Sequence, residues 1–156
     1  MKICIRKFDI NDTNECIALF RGTVHSVNAK DYTPSQLAAW APENIDSNSW
    51  QKRLTDSLTY IAEVDNQIIG FGNMTTNGYL DMLFIHKNFQ RKGIAKKIVI
   101  KLEEIALELG LKEVSTESSI TAKPFFETMG YHILEQQLKE HRGEQFINFV
   151  MKKQLV

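Results

Sequence analysis

Apolar positions recur along this chain with two different periods, and the switches between them mark out its elements. Ile3-Cys4-Ile5-Arg6-Lys7-Phe8 alternates as a first strand, and Asp9 or Asn11-Asp12 can cap a helix with Cys16, Ile17, Leu19, Phe20, Val24 and Val27 on its buried side. Residues 28–49 are broken by Pro34, Pro42 and polar residues around the short apolar helix Leu37-Ala38-Ala39-Trp40, and Trp50 and Leu54 suggest a further turn or two. Thr59–Val64 and Ile68–Met74 form a hairpin through Asp65-Asn66-Gln67, with Gly70 and Gly72 read as structural, marking a twist or a close approach. Tyr79–Ile85 is apolar on both alternating faces except at Asp81, as a strand covered on both sides would be. Gln90-Arg91-Lys92-Gly93-Ile94-Ala95 then opens a long helix whose apolar residues Ile94, Ile98, Leu102, Ile105 and Leu109 lie four, four, three and four apart, stopped by Gly110.

Beyond Gly110, Glu113–Glu117 is β-prone, and the helix crossing to it predicts a parallel βαβ unit. A short helix carries Ala122, Phe125, Phe126 and Met129, with Pro124 near its start and Gly130 at its end. Tyr131–Leu138 and Gln145–Met151 finish as a hairpin. The order predicts an α+β fold: a mixed, mostly antiparallel central sheet of about seven strands flanked by helices.

A length of 156 residues, 43% of them hydrophobic, predicts one domain over 1–156. Nineteen basic residues balance nineteen acidic ones, which argues against a dedicated nucleic-acid or membrane surface. The charge is locally uneven. Lys87, Arg91, Lys92, Lys96, Lys97 and Lys101 cluster without an acid, whereas residues 31–65 hold Asp31, Glu43, Asp46, Asp56, Glu63 and Asp65 against Lys52 and Arg53, six acids to two bases. Cys4 and Cys16 form no paired motif, so neither a metal nor a disulfide is expected, and with no signal-like or membrane-spanning apolar run the expected place is the cytoplasm.

The turn before the long helix is where chemistry concentrates. Its first N–H groups lack intrahelical partners and point with the positive end of the helix dipole at one spot. Gly93 and Ala95 leave room there for a pyrophosphate, with Arg91, Lys92 and Lys96 around it. Neither Gly-x-Gly-x-x-Gly nor the P-loop pattern occurs. Gln90-x-x-Gly93-x-Ala95 after Leu83-Phe84-Ile85 resembles the acetyl-coenzyme A motif of the GNAT N-acetyltransferase superfamily, in the strand, turn and helix order that superfamily uses. Ser119-x-x-Ala122-x-x-Phe125-Phe126-x-x-x-Gly130-Tyr131 is similar to its second motif, usually Asn-x-x-Ala-x-x-Phe-Tyr-x-x-x-Gly-Phe.

The resemblance implies the GNAT fold, acetyl-coenzyme A as cosubstrate without a metal, and acetyl transfer to an amine by direct attack. It implies pantetheine along Leu83, Phe84 and Ile85, pyrophosphate on Arg91, Lys92, Gly93, Ile94, Ala95 and Lys96 after Gln90, and cofactor contacts at Ser119 and Phe126. Phe126 stands where many members keep the tyrosine proposed to protonate the departing thiolate. Asp81 and Glu117 are the candidate bases that take the ammonium's proton. The large side chains His25, Tyr32, Trp40 and Trp50 suit the wall of an acceptor pocket. The acidic segment 31–65 points to a small cationic amine as acceptor. A catalytically weak acyl-CoA-binding module, and transfer to a protein N-terminus or lysine, stay open, as does a homodimer.

Overall fold

The computed structural model describes residues 1–156. Seven strands form one sheet: β1 (Cys4–Lys7), β2 (Leu58–Val64), β3 (Gln67–Met74), β4 (Tyr79–Ile85), β5 (Glu113–Ser118), β6 (His132–His141) and β7 (Glu144–Gln154), in the order β1-β2-β3-β4-β5-β7-β6. Only β4 and β5 run parallel. The helices are α1 (Thr13–Ser26), α2 (Pro34–Trp40), α3 (Ser47–Thr55), α4 (Ile94–Glu108) and α5 (Lys123–Thr128). The expected α+β layering is thus present.

The alternation along β2, and along β3 once the bulge at Ile69 is counted, divides the core. Ala62 and Ile69 face a cluster with Ile94, Ile98, Leu102 and Tyr131, whereas Ile61, Ile68 and Phe71 face one with Cys16, Phe20, Leu37 and Leu54. Asp65 and Asn66 in the β2–β3 turn have φ of 49° and 65°, the paired left-handed conformation a two-residue hairpin demands. A methyl group at Gly70 would stand 2.8 Å from Ile85 Cδ1, and one at Gly72 2.9 Å from Ile98 Cγ2. These glycines therefore let α4 lie close on the sheet, the structural role expected of them.

Two boundaries differ from expectation. Residues 90–93 form a turn rather than the first turn of the helix, because Arg91 (φ 59°) and Gly93 (φ 76°) are left-handed and α4 begins only at Ile94. The last hairpin extends further than expected, β6 to His141 at the turn and β7 to Gln154 at its free end, around Arg142 and Gly143 with φ of 49° and 82°. No helix is long and apolar enough to cross a membrane.

The feature that positions the site is where β4 and β5 part. They share only the pairs Tyr79 with Ser115 and Leu80 with Thr116. Thr116 Oγ1 donates to Leu80 O at 2.8 Å to close this short zip. Beyond it β4 pairs with β3 alone and β5 with β7 alone, so the sheet opens into a wedge. A bulge sits at the same level: Leu80 pairs with Met74 and Met82 with Asn73, leaving Asp81 unpaired between them.

Candidate active site

A cleft of about 1630 Å³ runs through the wedge, larger than the usual pocket for one small ligand. One end is lined by β4, the turn before α4, and α5. The other is lined by α2, α3 and the β6–β7 hairpin. The volume and the two unlike ends suit two reactants meeting where the strands part.

At the first end the turn is a cradle. Lys97 N–H donates to Gly93 O at 3.2 Å, the first intrahelical bond, so the N–H groups of Ile94, Ala95 and Lys96 point outward. A methyl group at Gly93 would meet nothing within 4 Å, so its glycine serves φ and the open space in front of it. Gln90 Nε2 donates to Ile85 O at 2.7 Å and His86 O at 3.3 Å, which staples the turn to the end of β4. Arg91, Gly93, Ala95 and Lys96 line the cleft with Leu83, Phe84 and Ile85. Ile94 also borders it, but its side chain is buried in the core, and only its N–H is offered. Lys92 is exposed outside the lining. Arg91, Gly93, Ala95 and Lys96 thus share one opening, and Lys92 stands apart from it.

At the β5–α5 corner Ser119 Oγ accepts from Ala122 N at 3.0 Å, so the hydroxyl caps the loop. Phe126 is buried, packed edge-on against Phe125 and Tyr131 with centroids 5.2 Å away, and reaches the cleft. Of the four large side chains expected in the acceptor wall, Tyr32, Trp40 and Trp50 line the cleft. His25 does not: its Nε2 lies 2.7 Å from Ala41 O and ties the end of α1 to the segment after α2. Phe146 from the last hairpin joins Tyr32 and Trp40, at 6.0 and 6.3 Å. Asn148 Oδ1, also in the lining, is buried with no hydrogen-bond partner. Nothing local in the sequence marks Phe146 or Asn148, because strand pairing brings them here from the far end of the chain.

Both candidate bases border the cleft, and both are engaged. Arg53 grips Asp81 in a two-pronged pair, Nε to Oδ2 and Nη2 to Oδ1 at 2.7 Å each, and Asn73 Nδ2 adds a bond to Oδ2 at 3.3 Å. The pair raises the Arg53 pKa through its hydrogen bonds to Asp81. Glu117 accepts from Tyr79 Oη at 3.2 Å, from Lys139 Nζ at 3.1 Å and from Gln137 Nε2. Burial pushes the Glu117 carboxyl up, but Lys139, Tyr79 and Gln137 together outweigh it and hold it below the usual range.

The charge of residues 31–65 is not delivered to the cleft. Of its acids only Asp46 lines it. Asp31 accepts from Thr121, Asp56 pairs with Lys52, and Glu63 with Arg6.

Residues 28–154 match the acetyltransferase (GNAT) domain family. The chain belongs to this family and is an N-acetyltransferase. It is 35% identical over 150 residues, 96% of this chain and 95% of the other, to the uncharacterized N-acetyltransferase YafP of Escherichia coli K12. Its fold superposes with a TM-score of 0.95 at 25% identity on a GCN5-related N-acetyltransferase from Rhodopseudomonas palustris, covering 99% and 96% of the two chains. It superposes with a TM-score of 0.81 at 21% identity on PaiA N-acetyltransferase from Thermoplasma acidophilum, solved in complex with coenzyme A, covering 99% of each.

Proposed function

We propose that this protein transfers an acetyl group from acetyl-coenzyme A to the amine of a small acceptor by direct attack. The observation that carries the reading is the wedge itself, which joins an anion cradle to an aromatic pocket. Pyrophosphate fits the free N–H groups at the start of α4, with Arg91 and Lys96 beside them. Pantetheine fits the edge of β4 at Leu83–Ile85, where no strand pairs on the β5 side. The free backbone edge there also offers N–H groups to a developing oxyanion.

The acceptor we assign enters as an ammonium between the rings of Trp40, Trp50 and Phe146, near Asp46 and the unpartnered Asn148 Oδ1. Its support is this lining, not the total charge of residues 31–65. A thermal-shift screen with acetyl-coenzyme A, followed by thiol release with polyamines, arylalkylamines, amino acids and a peptide, tests the reading. Stabilisation without thiol release from any amine would favour the idle binding module that Phe126 already hints at.

Of the two carboxylates, Glu117 is the better base. Its charged partner Lys139 is a single-pronged side chain from the hairpin, whereas Asp81 is held from two sides by one rigid fork. Held below its ordinary range, Glu117 is ionised at neutral pH and able to accept a proton directly or through water. Glu117→Gln is expected to lower kcat by about a hundredfold at neutral pH, with partial recovery at high pH where more amine is already neutral. Asp81→Asn is expected to leave the shape of the pH–rate profile unchanged. A profile altered by Asp81→Asn and not by Glu117→Gln would exchange the two roles.

A further inference from the structure

The cleft lacks a tyrosine at position 126, yet it holds another hydroxyl at the same corner. We propose that Tyr32, from the segment between α1 and α2, supplies the proton to the sulfur of coenzyme A as it leaves. This inference rests on the transfer reading above.

The observations concern where each proton goes. Tyr32 Oη accepts from Ile120 N at 2.9 Å, so the phenol stands over the loop that joins β5 to α5, next to Ser119 and within the cleft lining. The Ser119 hydroxyl also approaches Oη as a donor, so the phenol's own proton has no acceptor among the protein's hydrogen bonds. Of the other hydroxyls nearby, Thr116, Ser118 and Thr121 have spent theirs on Leu80 O, Ser119 O and Asp31 Oδ2, while Ser119 Oγ accepts from Ala122 N and lies against the Tyr32 hydroxyl. The tyrosines at 79 and 131 donate to Glu117 and Glu103, and Tyr60 lies outside the cleft. Tyr32 is therefore the one tyrosine in the lining with a donor free to turn toward a ligand.

It is also held still. Its ring packs against Trp40 at 5.3 Å and Phe146 at 6.0 Å, and the neighbouring Asp31 takes a 2.7 Å bond from Thr121 on the same loop. Two bonds thus pin residues 31 and 32 to the β5–α5 corner, a firmer attachment than packing alone would need. Burial keeps the phenol protonated, its pKa raised above the ordinary value, so the proton is present whenever a thiolate forms.

The step balances. As the tetrahedral intermediate collapses, the C–S bonding pair passes to sulfur and the carbonyl re-forms. The Tyr32 O–H proton joins the sulfur to give the free thiol. The tyrosinate regains a proton from solvent, which has received the one lost by the acceptor nitrogen.

Tyr32→Phe keeps the ring and removes only the hydroxyl. The variant is compared with the parent and with Tyr32→Phe/Phe126→Tyr, using acetyl-coenzyme A and hydroxylamine as a minimal nucleophile, with thermal melts as the fold control. Expected is a kcat loss of about a hundredfold, an unchanged KM for acetyl-coenzyme A, and recovery of tenfold or more in the double variant. A second readout needs no turnover: calorimetric affinity for free coenzyme A, measured below and above the ordinary thiol pKa of about 8.5. The parent's advantage over Tyr32→Phe should grow with pH, because the phenol donates to the thiolate. A kcat within threefold of the parent, an affinity gap that ignores pH, or no recovery in a folded double variant would overturn the assignment. A parent that binds acetyl-coenzyme A but releases no thiol overturns the transfer reading itself, and the role of Tyr32 with it.

Discussion

Gly93→Asp is expected to weaken acetyl-coenzyme A binding by at least about a hundredfold, while the protein still folds. The left-handed φ of 76° at Gly93 strains any side chain placed there, a cost that aspartate and asparagine bear better than most and share alike. Space contributes little, since nothing lies within 4 Å of the added carbon. What changes is charge, because a carboxylate would stand in the opening onto which the free N–H groups of α4 converge, and it would both occupy them and repel a pyrophosphate. Gly93→Asn separates these effects, having the same shape and backbone tolerance without the charge. It should lose about tenfold. Isothermal titration of the parent and both variants decides the matter: equal affinity for all would remove the cradle, and equal losses for the two variants would make bulk or strain, not charge, the cause.

Glu103→Ala is expected to destabilise the fold by about 2–3 kcal/mol, a drop in Tm of roughly 5–10 °C for a domain of this size. Glu103, on α4, is 9% exposed and accepts from Tyr131 Oη at 2.8 Å and Lys153 Nζ at 2.9 Å. Removing it leaves a buried phenol and a mostly covered ammonium without their acceptor, and also unfastens α4 from β7. The pH dependence gives a second check. Burial and then the charge of Glu103 raise the Tyr131 pKa above its unfolded value of about 10. The folded state therefore keeps a proton that the unfolded state gives up, so this contribution is whole below the unfolded value and is lost as pH climbs past it. Cys16, pushed up to about 12 by burial, acts in the same direction. Stability should thus fall between about pH 9 and 11, and in Glu103→Ala the fall should level off at a lower pH than in the parent. Urea titrations in which both level off at the same pH would mean that Tyr131 does not sense Glu103.

Period and turn chemistry were enough to read most elements. The four-four-three-four spacing from Ile94 to Leu109 placed α4, and Gly110 N–H bonding to Leu107 O with Leu111 N–H to Ala106 O shows why it stops there. Legibility faded wherever a residue's role depended on a distant partner. Asp81 stood out as the polar residue in an apolar strand, but its partner Arg53 lies 28 residues earlier, on a helix whose sequence says nothing of a pair. Glu117 was visible as a strand-end carboxylate, but Lys139 and Gln137 reach it from β6 across the intervening β7, a placement that only the strand order of the folded sheet displays. The acidity of residues 31–65 misled for the same reason, since a sum of charges carries no direction. Gln90 belongs to the recognised motif, yet its amide is spent on Ile85 and His86 carbonyls, a task that only the folded turn displays.

The two pairs between β4 and β5 have a mechanical consequence. Strands β1–β4 and the group β5, β7 and β6 are each stitched along their length, but the backbone pairing between the two groups is only two residues wide. An extended ligand laid in the parting would act as a surrogate strand, bonding to exposed backbone and lending this narrow pairing a stiffness that the chain alone does not supply. Cosubstrate would then be a structural part of the sheet for as long as it stays bound. Each release of product would leave that backbone edge without its partner again until the next acetyl donor is laid along it.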